Sequence, residues 1–240
     1  MLKITIVGMI YKSVEYLKFM MKGLERSCVE SQHDVDYLVV ANDASQNILD
    51  YISENSIKHI IYNDPQPNDF YLNRVYRAWN FGGVSADGDI IVFVNSDMAF
   101  SSGWLDRLID KLDRDTIPCS RLVESGKMPS AETAVSHNLG QTVSQFREGE
   151  FLKFASEISE NTALARGLFM PCAFYKDDFI RSGGYPEGNI YKGGVGKHKT
   201  RFKQSGDNFF FYNNPVMGRK KHITICDSIV YHIQEGELDE

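Results

Sequence analysis

Apolar and polar positions alternate in blocks along the first half of the chain, and each block has the period of a strand or a helix. Lys3 to Gly8 is a short apolar run that predicts a strand. Val14 to Cys28 follows with Val14, Leu17, Met20, Met21 and Leu24 at the spacing of an amphipathic helix. Asp36 to Ala41 predicts a second strand, ended by Asn42-Asp43-Ala44-Ser45. Gln46 to Ser56 predicts a helix. Lys58 to Tyr62 predicts a short strand, followed by a polar loop with Pro65 and Pro67. Asn73 to Ser85 predicts a helix and Asp89 to Val94 a strand. Trp104 to Leu112 predicts a further helix, capped by Ser101 or Ser102. Such alternation implies right-handed crossovers and a parallel sheet.

The pattern weakens further along. Asp115 to Arg166 is polar with few strand signals, apart from a helix over Phe146 to Ile158 that aligns Phe151, Phe154, Ala155 and Ile158. Gly167 to Tyr175 predicts a buried strand. Lys176 to Arg181 predicts a short helix, closed by Gly183-Gly184 and Pro186. Asn189 to Ser205 reads as a long loop, of a length that is usually functional or mobile. Asp207 to Tyr212 begins a helix, and Ile223 to Tyr231 is a final strand leading to His232. There is no internal repeat. The expectation is an α/β fold with a mostly parallel central sheet flanked by helices. One domain covers residues 1–240. About 1–112 form its ligand-binding half and about 113–240 a second half.

The formal net charge of −6 argues against a nucleic-acid binder, which usually shows a basic face. The four cysteines, Cys28, Cys119, Cys172 and Cys226, show no C-x-x-C spacing. They argue against zinc and read as reduced thiols. No apolar stretch approaches the ~20 residues needed to cross a bilayer. Met1 to Val7 reads as a first strand and not as a signal peptide. A cytoplasmic location is expected, with peripheral membrane association left open.

Candidate chemistry gathers at strand ends. In open α/β sheets, ligands lie outside the carboxyl ends of the strands. The run from Gly88 to Val94 ends in Asn95-Ser96-Asp97, and Asp97 carries a hard oxygen donor that suits Mg²⁺ or Mn²⁺. Asn, Ser and Asp are also common turn residues, so the triplet alone reads first as a turn. The first strand ends near Met9-Ile10-Tyr11, and the second at Asn42-Asp43. Asp43 could accept an imide N–H from a pyrimidine base, and Tyr11 could stack on that base. A metal on Asp97 could neutralise a diphosphate, and Arg74 or Arg77 could reach its oxygens. Together these parts suit a nucleotide diphosphate.

The ordered set resembles a family 2 glycosyltransferase of the GT-A fold. The resemblance rests on Ile4-Thr5-Ile6-Val7-Gly8-Met9-Ile10-Tyr11, on Leu38-Val39-Val40-Ala41-Asn42-Asp43-Ala44-Ser45, and on Ala78-Trp79-Asn80 through Gly88-Asp89 to Asn95-Ser96-Asp97. It implies that Asp43 binds the base, with Met9 and Tyr11 packed near it. Arg74 would lie near the diphosphate, and Asn80, Asn95 and Ser96 would line the donor. Asp97 would bind Mn²⁺ or Mg²⁺, and His232 would add a further ligand. Asp207, in Ser205-Gly206-Asp207-Asn208, would be the general base. Gly184, Tyr185 and Glu187, within Gly183-Gly184-Tyr185-Pro186-Glu187-Gly188, would lie beside the donor sugar and the acceptor.

Each motif also has an ordinary reading. Ser-Gly-Asp is a helix N-cap. A histidine after a strand is structural or solvated, and Gly-Gly is a helix stop. Glu235 and Glu237 are solvated tail charges. The cluster Lys192, Lys197, Lys199, Arg201 and Lys203 is a solvated loop, or functionally a lid over the donor diphosphate. His137, His198 and His222 have no spacing that suggests a site.

The chain departs from the family pattern twice. Asn95 stands in place of the first acid of D-x-D, and Asn42 in place of the first of the paired aspartates, so the metal site loses a charge. The implied reaction is a metal-dependent, inverting sugar transfer. Its donor would be a nucleotide-diphosphate sugar, UDP or dTDP because Asp43 suits an imide, and its acceptor a saccharide or glycan. A sugar-1-phosphate nucleotidyltransferase would show a Gly-rich, basic signature where this chain reads Gly8-Met9-Ile10-Tyr11-Lys12-Ser13. A binding module without turnover is kept open by Asn42 and Asn95.

Overall fold

The computed structural model describes residues 2–66, 69–196 and 201–234. Its first part alternates as the apolar pattern predicts: β1 (Lys3–Ile10), α1 (Val14–Glu30), β2 (Asp34–Asn42), α2 (Gln46–Glu54), β3 (His59–Tyr62), α3 (Tyr71–Ser85) and β4 (Ile90–Val94). β5 (Met98–Phe100), α4 (Trp104–Ile109), β6 (Thr116–Glu124) and β7 (Val135–Ser136) follow. Then come α5 (Glu148–Ile158), β8 (Ala163–Ala165), β9 (Cys172–Tyr175) and α6 (Lys176–Ser182). The chain continues through β10 (Ile190–Tyr191), β11 (Gly194–Val195) and β12 (Phe202–Gln204) to β13 (Lys221–His232).

The main sheet has the order β3-β2-β1-β4-β9-β6-β13-β5, with β7 beside β6 and β8 beside β13. β1, β2, β3 and β4 are mutually parallel, and so are β6, β7 and β13. β9 runs antiparallel between these two groups, and β5 and β8 run antiparallel to β13. Strand pleating sends successive side chains to opposite faces. Val7 accordingly meets α3 at Gly82, whereas Gly8 lies under Met20 of α1. Helices α1, α2, α4 and α5 touch one another on the Gly8 face, and α3 packs with α6 on the other. Gly88 has a packing reason: a Cβ there would lie 2.6 Å from the Thr5 backbone nitrogen, and the Gly88 N–H donates to Thr5 Oγ1 at 2.8 Å.

Several expectations need correction. β6 falls inside a stretch read as lacking strands. Its sequence, Thr116-Ile117-Pro118-Cys119-Ser120-Arg121-Leu122-Val123-Glu124, hides a buried strand behind a proline and polar side chains. The predicted strand from Gly167 begins only at Cys172. The expected long loop, Asn189 to Ser205, instead carries a three-stranded sheet in the order β11-β10-β12. Neither Ser101 nor Ser102 caps α4 through its side chain: Gly103 does the turning, at φ 67°. The predicted helix from Asp207 is a single turn, Gly206–Asn208, that widens into a π-helical turn over Phe209–Asn213. All four cysteines are free thiols. No helix among the described residues is long and apolar enough to cross a membrane.

Candidate active site

Sheet register builds the first part of the site. In parallel pairing with β6, His232 lies opposite Glu124; in antiparallel pairing with β5, it lies opposite Met98. The β6 pairing reaches this register only because Cys226, Asp227 and Ser228 loop out between Ile225↔Ser120 and Ile229↔Arg121. Ser228 Oγ anchors the excursion on the Trp104 carbonyl at 2.8 Å. Ile233 N–H donates to the Asp97 carbonyl at 3.1 Å, tying the end of β13 to the turn after β4. His232 Nε2 consequently stands 3.2 Å from Asp97 Oδ2, and Nδ1 stands 3.7 Å from Glu124 Oε1. Burial alone would lower the imidazole's pKa. The two carboxylates outweigh it and raise the group to about 9.

The same potential suits a divalent cation. Nitrogen and oxygen donors 3.2 Å apart are close enough to take neighbouring positions on one Mn²⁺ or Mg²⁺ ion. Glu124 stands on the far side of the ring, but at 3.7 Å it makes no hydrogen bond to Nδ1, which is buried without a partner. Among the described residues no three His, Cys, Asp or Glu side chains gather to hold a metal. Were an ion bound there, Asp97 and His232 would supply two of its ligands and substrate oxygens the rest, the usual arrangement for Mg²⁺ at phosphates.

The second part lies where β1 and β2 end. Asp43 turns the chain with φ 46°, a left-handed conformation that aspartate tolerates better than most residues. Its N–H donates to the Tyr62 carbonyl at 2.8 Å, and Arg74 Nη1 stands 3.5 Å from its carboxylate. Asn42 is buried, with Oδ1 lacking a hydrogen-bond partner. Met9, Tyr11, Asn95 and Ser96 are half-buried, and Lys12 Nζ lies 4.6 Å from the Tyr11 ring centroid. Arg77 is bound to Asp69, whose carboxylate it holds below the usual range, and also to the Asp64 carbonyl at 3.0 Å. Arg74 is thus the cation of that helix placed beside Asp43.

The third part is Asp207. Ser205 caps the short helical turn, its Oγ accepting from the Asn208 N–H at 3.2 Å, so the aspartate is not the cap. Asp207 is half-buried and accepts a 2.9 Å hydrogen bond at Oδ2 from the Tyr76 hydroxyl on α3. Burial pushes its pKa up to about 6, against the lowering effect of Tyr76. Gly206 makes this approach sterically feasible, because a Cβ there would lie 2.4 Å from the Tyr76 ring.

The Gly-Gly-Tyr segment has a structural task. Asn80 Nδ2 donates to the Tyr185 carbonyl, and Tyr185 N–H donates to Asn80 Oδ1, both at 2.8 Å. Gly184, at φ 74°, is required there, since a Cβ would lie 2.3 Å from Asn80 Oδ1. Asn80, expected to line the donor, thus clamps a loop. Tyr185, expected beside sugar and acceptor, is 2 % exposed and stacks between Tyr76 and Phe210. Glu187 is exposed, as is Gly183. Lys192, Arg201 and Lys203 are exposed on the small sheet; Lys197, His198, Lys199, Glu235 and Glu237 lie outside the described residues. His222 is buried, which lowers its pKa to about 4. Sequence reading missed Tyr76 and Glu124: the first looks like a core aromatic, and the second acquires its partner through register.

Comparison with known proteins bears on the fold and the family. The crystal structure of S. aureus TarS 1-349 matches with a TM-score of 0.55 at 11% sequence identity. The match covers 96% of this chain and 60% of that one, and it shows the GT-A fold. No curated protein matches the chain. The profile described as "Glycosyl transferase family 2" matches residues 6–178. The chain therefore belongs to glycosyl transferase family 2.

Proposed function

We propose that the chain transfers the sugar of a UDP- or dTDP-sugar to a hydroxyl of a saccharide or glycan acceptor, with inversion at the anomeric carbon and release of UDP or dTDP. The observation that carries this reading is the half-buried Asp207, held by the Tyr76 hydroxyl and poised near pH 6. Tyr76 fixes Oδ2 and leaves Oδ1 to take the proton of the acceptor hydroxyl. Above its pKa the carboxylate is ionised and can accept that proton as the oxygen attacks. Asp43 supports pyrimidine selection, because a carboxylate accepts the imide N–H of uracil or thymine. Arg74 supports binding of the diphosphate. Asp97 and His232 would hold the divalent ion, which when bound stabilises negative charge on the departing diphosphate.

The direct test is thermal stability in nucleotides. UDP or dTDP with Mn²⁺, at about a hundred times its Kd, should stabilise the fold by ~2.7 kcal/mol, a Tm rise of roughly 5–10 °C. ADP and GDP should give little. Equal shifts with purine nucleotides, or an unchanged UDP shift in Asp43→Ala, would remove the base assignment.

Tyr76 serves as a positioning residue for Asp207. In Tyr76→Phe the carboxylate loses its hydroxyl donor, which favours the charged form. The acid limb of the pH–rate profile should then move to higher pH, with transfer at pH 7 falling several-fold and recovering at pH 8 to 9. A uniform loss at every pH would mean that Tyr76 matters only for packing.

A further inference from the structure

A cleft of about 460 Å³ lies between the loop Ala131-Glu132-Thr133 and the segment formed by Arg166, Gly167, Phe169, Asn208 and Tyr212. Its two walls lead to the two chemical ends of the site. The Ala131 N–H donates to Glu124 Oε2 at 3.2 Å, and Glu124 faces His232. Asn208, on the other wall, follows Asp207 in the chain. Each wall is thus joined to one part of the candidate site, to the His232 neighbourhood through Glu124 and to Asp207 through the adjacent Asn208.

The lining is that of a saccharide site with one unusual charge. Phe169 and Tyr212 supply aromatic surface, and the Tyr212 hydroxyl is fixed by His222 Nδ1 at 3.0 Å. The π-helical turn that carries Tyr212 is a feature often found at functional sites. Arg166 and Glu132 both line the cleft, yet they make no ion pair with each other or with any described residue. Arg166 is also held at φ 67°, where a residue with a Cβ is strained, and its carbonyl accepts from Thr224 Oγ1 at 3.0 Å. Opposite charges kept apart across one cleft suit a ligand that bridges them, with hydroxyls to donate to Glu132 and an anionic group for Arg166.

We propose that this cleft is the acceptor site, and that the acceptor is a saccharide or polyol bearing a phosphate or a carboxylate, which Arg166 binds. The assignment rests on the transferase reading above and names the substrate class of that site.

The test uses the full chain with UDP and Mn²⁺ saturating, so that the donor site is filled. Ligand-detected NMR is recorded with hexose 6-phosphates, glycerol 3-phosphate and hexuronic acids, each beside its neutral parent. At least one anionic probe should bind more tightly than its parent, and the identity of that probe separates phosphate from carboxylate. Its affinity should fall about tenfold or more in Arg166→Gln and be largely kept in Arg166→Lys. Arg166→Gly should lose the anion equally while keeping or raising Tm, since glycine adopts this backbone freely. Neutral parents should bind all variants alike. Absence of any Arg166-dependent anion binding, or a loss that follows Arg74→Gln instead, overturns the proposal. The UDP-induced Tm shift, read separately in wild type and Arg166→Gln, reports on the donor site. Its absence while Arg166-dependent anion binding persists would count against the transferase reading and not against the cleft.

Discussion

Asp207→Asn is expected to lower sugar transfer by about 10²–10⁴-fold while leaving donor binding intact. Asparagine has nearly the same shape, and its Oδ1 can still accept the hydrogen bond from Tyr76. What it lacks is the capacity to take a proton. The wild-type rate should rise with pH through about 6, the value to which burial raises the carboxylate, and then level off. The variant should show only a small residual rate without that limb. Stability moves the other way. A carboxyl whose folded pKa lies above its unfolded value contributes stability at low pH that is lost as pH rises through the folded pKa. Asp207→Asn removes that loss, so its Tm should match wild type near pH 4 and exceed it by a few degrees at pH 8. Transfer at the wild-type rate by Asp207→Asn would end the assignment of the base. A normal rate with an acid limb still near pH 6 would place the base on another group.

The parts of the fold that could be read from sequence are those with a single dominant local signal. β1, β4 and the second half of β2 are apolar runs because both their faces are buried, and β2 and β4, each parallel to β1, end towards the same edge of the sheet. β6 gave no such signal. Ser120 is fully buried there, but it bonds Ser228 Oγ at 2.8 Å, a partner more than a hundred residues away. Pro118 is tolerated because β6 pairs with β9 only at Cys119↔Cys172. The small β10–β12 sheet was hidden for a different reason: its strands are two or three residues long, too short for any period to show.

The site divides along the same line. His232 could be placed only through family resemblance, since a histidine after a strand has no intrinsic meaning. Glu124 was illegible because its neighbour depends on the looped-out residues of β13. Tyr76 faces inward on α3 and carries the pattern of a core residue; only the absent side chain of Gly206 lets its hydroxyl reach Asp207. Tyr185 misled in the opposite sense. A Gly-Gly-Tyr turn reads as a helix stop, but Asn80 clamps its backbone and the ring completes an aromatic stack. Local chemistry marks where a chain turns, and tertiary packing decides which of the turning side chains meets solvent.

Asp97→Ala should be the most damaging single change to donor handling. It removes a carboxylate oxygen from the pair with His232 and leaves Glu124 as the imidazole's remaining acidic neighbour. If the ion stabilises the departing diphosphate by several kcal/mol, transfer should fall by about 10³-fold or more. The Tm rise given by UDP with Mn²⁺ should shrink to that given by UDP alone. Breaking a buried pair also weakens the fold, so loss of activity in Asp97→Ala needs a companion. Asp97→Asn keeps a hydrogen-bond acceptor for His232 but not the charge. It should lose less Tm than Asp97→Ala without nucleotide, yet lose most of its response to Mn²⁺. The departure at Asn95 sharpens the expectation: with one carboxylate instead of two in that motif, the motif itself holds no second acid to take over from Asp97. An Mn²⁺ response in Asp97→Asn equal to that of wild type would show that the cation is held elsewhere. Wild-type transfer unaffected by chelation would show that charge on the leaving diphosphate is met by Arg74 and backbone donors, and that Asp97 and His232 form a structural ion pair.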